Sequence, residues 1–284
     1  MLTQYKAHSL VRHINEGWGG FRRVLNEFIE VLPASQRVIE EWYRGTADAI
    51  YQNLDIIHTH NSRYVLILSG DHIYKMDYGD MLAYHAEKEC ELTISCIEVP
   101  VSEAANNFGV IEIDEDGRVL SFEEKPANPR PIPGRPDTCL ASMGNYVFNT
   151  GALCEQLIID HQDDTSGHDF AHDIIPPFLN SHRVYAYAFR DPATGKPAYW
   201  RDVGTLDAYY EANMELLDIT PELNLYDKDW PIITDQPQLP SAKFVHYCNG
   251  KRGSAHDSIV SGGCIISGAE LDHVLLFSNV RVEP

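Results

Sequence analysis

Apolar positions in this chain follow two patterns: short unbroken runs, and residues spaced three or four apart. The most informative stretch covers residues 42–75. Its second half contains an unbroken run, residues 64–68, that stops at Ser69-Gly70-Asp71. A run of that length closed by glycine predicts a strand buried on both faces of a parallel sheet. Open α/β sheets place ligands at the carboxyl ends of such strands, and here that end carries Asp71. The first half predicts a helix: Thr46 is placed to cap it, Asp48 lies in its first turn, and Ala47, Ile50, Leu54 and Ile57 share one face. The loop that feeds this helix, residues 42–45, then points toward the same rim as Asp71. An aromatic-basic-glycine loop beside a strand-end aspartate suggests a nucleotide and a metal.

The rest of the chain continues the alternation. Residues 2–12 read as helix around Ala7, Leu10 and Val11, and residues 28–32 as a short strand ending at Pro33. Residues 77–87 predict a helix with Tyr78, Met81, Leu82 and His85 on one side, followed by a strand over 92–99. Runs at 110–113 and 119–122 flank Asp114-Glu115-Asp116-Gly117, a hairpin signal. Five prolines between 126 and 136 mark an irregular surface loop. Beyond it come a strand over 141–148, a helix over 151–159, a helix over 168–179 broken at Pro176-Pro177, a strand over 184–189 and a helix over 205–217. Residues 220–244 lose the pattern and read as a linker between a domain at 1–219 and another at 245–284. In the second, Ile259, Ile265, Leu271 and Phe277 recur every six residues among glycines 262, 263 and 268, the signature of a parallel β-helix.

Composition narrows the class. At 284 residues, 44% hydrophobic and 23% charged, the chain buries an ordinary core. Asp and Glu number 42 against 22 Lys and Arg, a formal charge of −20. So acidic a protein is a poor nonspecific binder of nucleic acid or anionic membrane, and neither is expected as a partner. The six cysteines, at 90, 96, 139, 154, 248 and 264, show no C-x-x-C spacing and read as reduced core residues. No apolar run reaches transmembrane length.

Four clusters carry candidate chemistry. Asp71 and Asp202 each follow an apolar or aromatic segment; alone, either reads equally well as a helix cap. Together they offer two hard oxygen ligands, the usual protein share for Mg²⁺. Lys125 follows Glu123-Glu124 and precedes Pro126. It reads as a solvated surface lysine or as a phosphate clamp beside a Glu124 free to bind sugar hydroxyls. His168 and His172 stand four apart, without H-E-x-x-H and without a third ligand. Gly17, Gly19 and Gly20 lack the spacing of a phosphate loop and read as a turn. No Ser-His-Asp arrangement stands out, so the chemistry suggested is electrostatic: metal and lysine stabilising charge on a transferring phosphoryl group.

These residues sit in stretches that resemble the glucose-1-phosphate adenylyltransferase family of bacterial glycogen and plant starch synthesis. The matching stretches include LTQYKAHSL, WYRGTADAIYQNLDII, GDHIYKMDY, FGVIEID, FEEKPANP, ASMGNYVF, HDFAHDIIP, YWRDVGT, YDKDWPI and SGGCIISG, in the family's order along nearly the whole chain. The resemblance implies a Rossmann-like α/β nucleotidyltransferase domain followed by the start of a left-handed β-helix. It implies conversion of ATP and glucose 1-phosphate to ADP-glucose and diphosphate with Mg²⁺, in a cytoplasmic homotetramer under allosteric control. By motif, Asp71 and Asp202 correspond to metal-binding aspartates and Lys125 to the lysine that holds the sugar phosphate. Glu124, Ser142, Tyr146, Asp169 and Trp200 fall on sugar-pocket positions, and Gly109 on a substrate-contacting backbone position. Tyr43, Gly45 and Thr46 match the loop at nucleotide and product, and Gln4 and Trp42 match positions tied to allosteric signalling. The family opens with a strand and a G-G-x-G-x-R-L loop that do not precede Met1 here, and most of its β-helix is absent. The expectation is a chain incomplete at both ends and inactive, or nearly so, alone. Three other readings stay open: a regulatory subunit that keeps the fold without the chemistry, a hexapeptide acyltransferase, and a sugar nucleotidyltransferase using UTP or dTTP.

Overall fold

The structure, a computed structural model, describes residues 1–20, 27–34, 42–246 and 250–284. In chain order its elements are β1 (Leu2–Thr3), α1 (His8–Gly17), β2 (Leu32–Pro33), α2 (Thr46–Tyr51), α3 (Leu54–His60), β3 (Tyr64–Ile67), β4 (His72–Tyr74), α4 (Tyr78–Lys88) and β5 (Leu92–Pro100). Then come α5 (Val101–Ala104), β6 (Val110–Ile113), β7 (Val119–Glu123), β8 (Thr138–Asn149), α6 (Thr150–His161), α7 (Ile175–Ser181), β9 (Val184–Ala188), β10 (Trp200–Asp202) and α8 (Leu206–Met214). A series of short strands follows: β11 (Lys243–Val245), β12 (Ser254–His256), β13 (Ile259–Val260), β14 (Ile265–Ser267), β15 (Glu270–Asp272), β16 (Leu275–Leu276) and β17 (Arg281–Val282). The chain divides into two compact units, Met1–Ala7 with Glu30–Trp200, and His8–Ile29 with Arg201–Pro284.

The first unit is built on β8. One edge of β8 pairs along its length with β5, and the other pairs with β6 near its start and β3 near its end, all antiparallel. β5 pairs in parallel with β9, and β6 closes a hairpin with β7. Alternate β8 residues serve two cores. Leu140, Tyr146 and Phe148 join Leu153 and Leu157 of α6, whereas Ala141, Met143 and Val147 join Met81 of α4 and Trp200. Strands buried on both faces are therefore β5 and β8. The expectation for residues 64–68 is corrected: β3 is antiparallel to β8, and each of its residues is only half-buried. Among the described residues β3 has a strand partner on one side only, so its apolar run meets less core than the pattern suggests.

Several boundaries differ from the sequence pattern for local reasons. Residues 2–3, expected in a helix, pair in parallel with β2, and the helix starts only at His8. The strand expected over 28–32 is reduced to Leu32–Pro33. The single helix expected from Thr46 is two, α2 and α3, parted at Gln52-Asn53. The Asn53 side chain donates to the Ala49 carbonyl at 2.9 Å and competes with helix propagation. The hairpin over 110–122 forms as expected, with Asp114 Oδ1 accepting the N–H groups of Asp116 and Arg118 at 2.9 Å and Gly117 at φ 82°. Residues 168–179 are a π-helical turn, Phe170–Ile174, followed by α7. Pro176 and Pro177 lie in the first turn of α7, where no intrahelical N–H is required, so they begin a helix instead of breaking one. Cys90, Cys96, Cys139, Cys154 and Cys264 are buried and unpaired; Cys248 lies outside the described residues. Among the described residues no helix is long and apolar enough to cross a membrane.

In the second unit, Thr205 accepts the Ala208 N–H at 3.2 Å and caps α8. The terminal strands stack in parallel, β12 on β15, β13 on β16, and β11, β14 and β17 together. From Ser254 onward coils repeat every 16 residues, as Ser254 pairs Glu270, Ile259 pairs Leu275 and Ile265 pairs Arg281, whereas Lys243 pairs Ile265 across 22 residues. The strict six-residue period is thereby corrected. Inward positions are Ala255, Val260, Ile266, Leu271, Leu276 and Val282, steps of five and six, while Phe277 is 59% exposed.

Candidate active site

The loop ahead of α2 is shaped by what lies against it. Gly45 is the N-cap of α2, and a Cβ there would fall 2.2 Å from the His168 carbonyl oxygen, so only glycine permits the approach. Thr46 is the first helical residue and not the cap. Its hydroxyl instead donates to Asp169 Oδ2 at 3.0 Å and accepts the Phe170 N–H at 3.0 Å. The Ala47 N–H donates to the His168 carbonyl at 2.8 Å. Asp48 is buried, and its Oδ2 accepts the Arg44 N–H and the Gln52 amide, both at 2.9 Å. Tyr43 donates its N–H to Gln4 Oε1 at 2.9 Å, and its hydroxyl accepts from Asn53 at 3.0 Å. Trp42 is 57% exposed.

A second group gathers around the β7 exit and the middle of β8. Lys125 sits at φ 48°, a left-handed conformation uncommon outside glycine. Its Nζ is 4.0 Å from Glu124 Oε1, with the lysine side chain 59% exposed and the glutamate 17%. Burial pushes the Glu124 carboxyl above the usual range, opposed by the charges of Lys125 and His172 and reinforced by Asp169. Gly109 accepts the Ser142 N–H at 2.8 Å, and a Cβ on it would meet Glu124 Oε2 at 2.7 Å. Tyr146 is buried, hydrogen-bonds with Ser142, and stacks on Phe170 at 5.8 Å. Burial, with Glu124 and Asp169 nearby, raises its phenol far above the ordinary value. Trp200 lies in the core with its ring edge-on to His72 and Phe108, at 5.0 and 5.2 Å.

Asp71 follows β3 and precedes β4, so no helix follows for it to cap. Its Oδ1 accepts the Ser69 hydroxyl at 2.6 Å. The loop is docked on β8, where Asn145 Oδ1 accepts the Ser69 N–H at 3.3 Å and His72 Nδ1 lies 2.9 Å from the Met143 carbonyl. Asp202 closes β10, and its Oδ1 accepts the Gly204 N–H at 2.8 Å. Asp71 belongs to the first unit and Asp202 to the second. Each keeps Oδ2 outside these hydrogen bonds. His168 is engaged otherwise: its Nδ1 lies 2.7 Å from Asp160 Oδ2, while His172 is exposed.

The site thus includes residues that the pattern did not single out: Asp160, Ser166, Asn145 and Phe170. Asp160 and His168 are eight apart in sequence, but Asp160 ends α6 while His168 lies in the loop ahead of the π-helical turn, so no periodicity of a single element links them. Asn145 has a local signal only in retrospect, as a polar residue inside an apolar strand beside a glycine.

Residues 1–219 match the nucleotidyl transferase family and residues 240–284 the GlmU-like, C-terminal hexapeptide family. The chain belongs to the nucleotidyl transferase family, with a hexapeptide-repeat region after the transferase domain. Among its relatives, the glucose-1-phosphate adenylyltransferase of Nitrosococcus oceani is 61% identical over 284 residues, covering 100% of this chain and 67% of that protein. The proteins of the same name from Shewanella sp. (strain W3-18-1) and Methylococcus capsulatus are each 58% identical over 282 residues. They are matched over 99% of this chain and over 67% and 66% of their own lengths.

Proposed function

We propose that this chain joins ATP and α-D-glucose 1-phosphate into ADP-glucose and diphosphate, a reading supported by its relatives' name, glucose-1-phosphate adenylyltransferase. The observation that carries the reading is the grouping of Glu124, Lys125, Ser142, Tyr146 and Asp169 in one unit, on the motif positions of a family that the chain matches at 61% identity. Lys125 provides a positive charge beside these acids, suited to a sugar phosphate that is mostly dianionic above a second pKa of ~6. Glu124 and Asp169 accept hydrogen bonds from sugar hydroxyls, and buried Tyr146 with Ser142 closes the apolar side. The sugar phosphate oxygen forms the new bond to the α-phosphorus of ATP, and the bond from that phosphorus to the β-phosphate bridge breaks with its electron pair on diphosphate. A dianion needs no base to act as nucleophile.

Asp71 and Asp202 would hold Mg²⁺, which when bound neutralises polyphosphate charge. Gly45 and Thr46 form the nucleotide and product loop with Tyr43. Gln4 holds the Tyr43 N–H, a contact through which Gln4 and the exposed Trp42 would pass an effector signal to that loop. Homotetrameric assembly and a cytoplasmic location belong to the same proposal. The test is diphosphate release and ADP-glucose formation from ATP, with UTP and dTTP in parallel, and with Asp71→Asn as control. ATP-dependent product that vanishes in the control supports the reading; preference for UTP or dTTP, or a chain that binds no glucose 1-phosphate by calorimetry, overturns it.

A further inference from the structure

Thr46 and Asp169 meet because the chain turns sharply at His168, and that turn is held from behind. His168 is at φ 54°, a conformation that a side-chain-bearing residue adopts only when its surroundings enforce it. Its Nδ1 lies 2.7 Å from Asp160 Oδ2, and the two side chains are 2% and 6% exposed. Asp160, at the end of α6, accepts the Ser166 hydroxyl at 2.6 Å with its other oxygen. The same Ser166 oxygen accepts the His168 N–H at 2.9 Å. Ring and backbone of His168 are therefore tied to one buried carboxylate. The other ring nitrogen, Nε2, is buried without a hydrogen-bond partner among the described residues. An apolar residue would fill this space without that loss. What the pair secures lies on the other side of the turn. There the His168 carbonyl receives the Ala47 N–H, Asp169 receives the Thr46 hydroxyl, and Phe170 stacks on Tyr146.

We propose that Asp160 and His168 are positioning residues: a buried carboxylate–imidazole pair that fixes the turn at 167–170 and, through it, Asp169 and the start of α2. The sugar-side consequence rests on the reading of Asp169 given above. The test compares the parent chain with Asp160→Asn, Asp160→Leu and His168→Gly in two measurements, amide hydrogen exchange and glucose 1-phosphate affinity. Asp160→Leu and His168→Gly should speed exchange at Ala47 and Phe170 by about 10-fold or more while amides of β5 and β8 stay protected. Asp160→Asn keeps a side-chain oxygen to accept from Nδ1 and should restore most of the protection. Affinity for glucose 1-phosphate should fall roughly 10-fold in the two disruptive variants and recover in Asp160→Asn. If Asp160→Leu fails to fold, His168→Gly carries the comparison, since glycine adopts φ 54° without strain. Unchanged exchange at Ala47 and Phe170 overturns the pair's role whether or not sugar binds. Faster exchange with unchanged sugar affinity overturns the link to Asp169. A parent chain that binds no sugar phosphate overturns the proposed function and the sugar clause, and the exchange result still decides the pair.

Discussion

Lys125 combines strain with exposure: φ 48°, a half-open side chain and a carboxylate 4.0 Å from its amine. A non-glycine residue held there costs ~1–3 kcal/mol, and such outliers gather where the backbone is shaped for a ligand. Lys125→Gly separates the two roles. The variant should be at least as stable in urea as the parent, because glycine removes the Cβ conflict, yet bind glucose 1-phosphate at least ~10-fold more weakly. A loss of stability with affinity intact would assign the lysine to structure. Glu124 allows a second test by pH. Its carboxyl is raised by burial, so in the fold it takes up a proton at higher pH than in the unfolded chain, near pKa ~4.3. The stability that comes from holding this proton is present below the unfolded value and lost as pH rises through the folded one. Glu124→Gln should therefore be no less stable than the parent at neutral pH while binding sugar phosphate more weakly. The acid-side loss of sugar affinity in the parent should also begin above the usual glutamate range and flatten in the variant.

β8 is where the elements converge. Between the pairs Ile94–Tyr146 and Cys96–Ser142, only Ser95 on β5 faces residues 143–145 on β8, so β8 bulges at its centre. Gly144 lies in that bulge at φ 66°, and a Cβ there would come within 3.2 Å of the Ser69 side chain in the Asp71 loop. Gly144→Ala should cost ~1–3 kcal/mol of stability by urea unfolding. A neutral effect would mean that the bulge relaxes freely and does not position Ser69. This element also marks the limit of what the sequence made legible. Strand and helix locations follow from local periodicity, which is why β5, β8, α4, α6 and the β6–β7 hairpin are readable along the chain. Strand direction is set by partners distant in sequence, so an apolar run at 64–68 could not disclose that β3 is antiparallel. The motif residues Lys125 and Asp169 were accessible because each sits in a distinctive short stretch. The Asp160–His168 pair and the Asn145 contact were not, because they depend on turns whose geometry no spacing encodes. In the terminal strands the glycines mark coil corners, but the 16-residue repeat shifts the inward register, and Ile266 rather than Ile265 carries the core. Ile266→Ala should cost about 2–5 kcal/mol within that unit, with Ile265→Ala much milder.

At the scale of the whole molecule the formal charge of −20 sets a constraint on the proposed chemistry. Both proposed substrates are anions, so the protein's summed field repels them at long range while Lys125 attracts at contact. The two effects respond differently to salt. The Debye length shrinks from ~30 Å at 0.01 M to ~10 Å at 0.1 M ionic strength, which screens the distributed charge far more than an amine a few ångströms from a phosphate. Net repulsion should therefore weaken first. The expected outcome is that affinity for glucose 1-phosphate, measured by calorimetry without added metal, rises as salt increases from 0.01 to 0.1 M, by roughly two- to five-fold. Lys125→Gln should bind more weakly at every salt concentration yet keep the same upward trend, because the trend belongs to the whole molecule and not to the lysine. Affinity that falls steadily with salt from the lowest concentration would mean that local attraction dominates even at long range. The acidic surface would then lie away from the approach to Glu124 and Lys125, leaving net charge to govern solubility and not substrate capture.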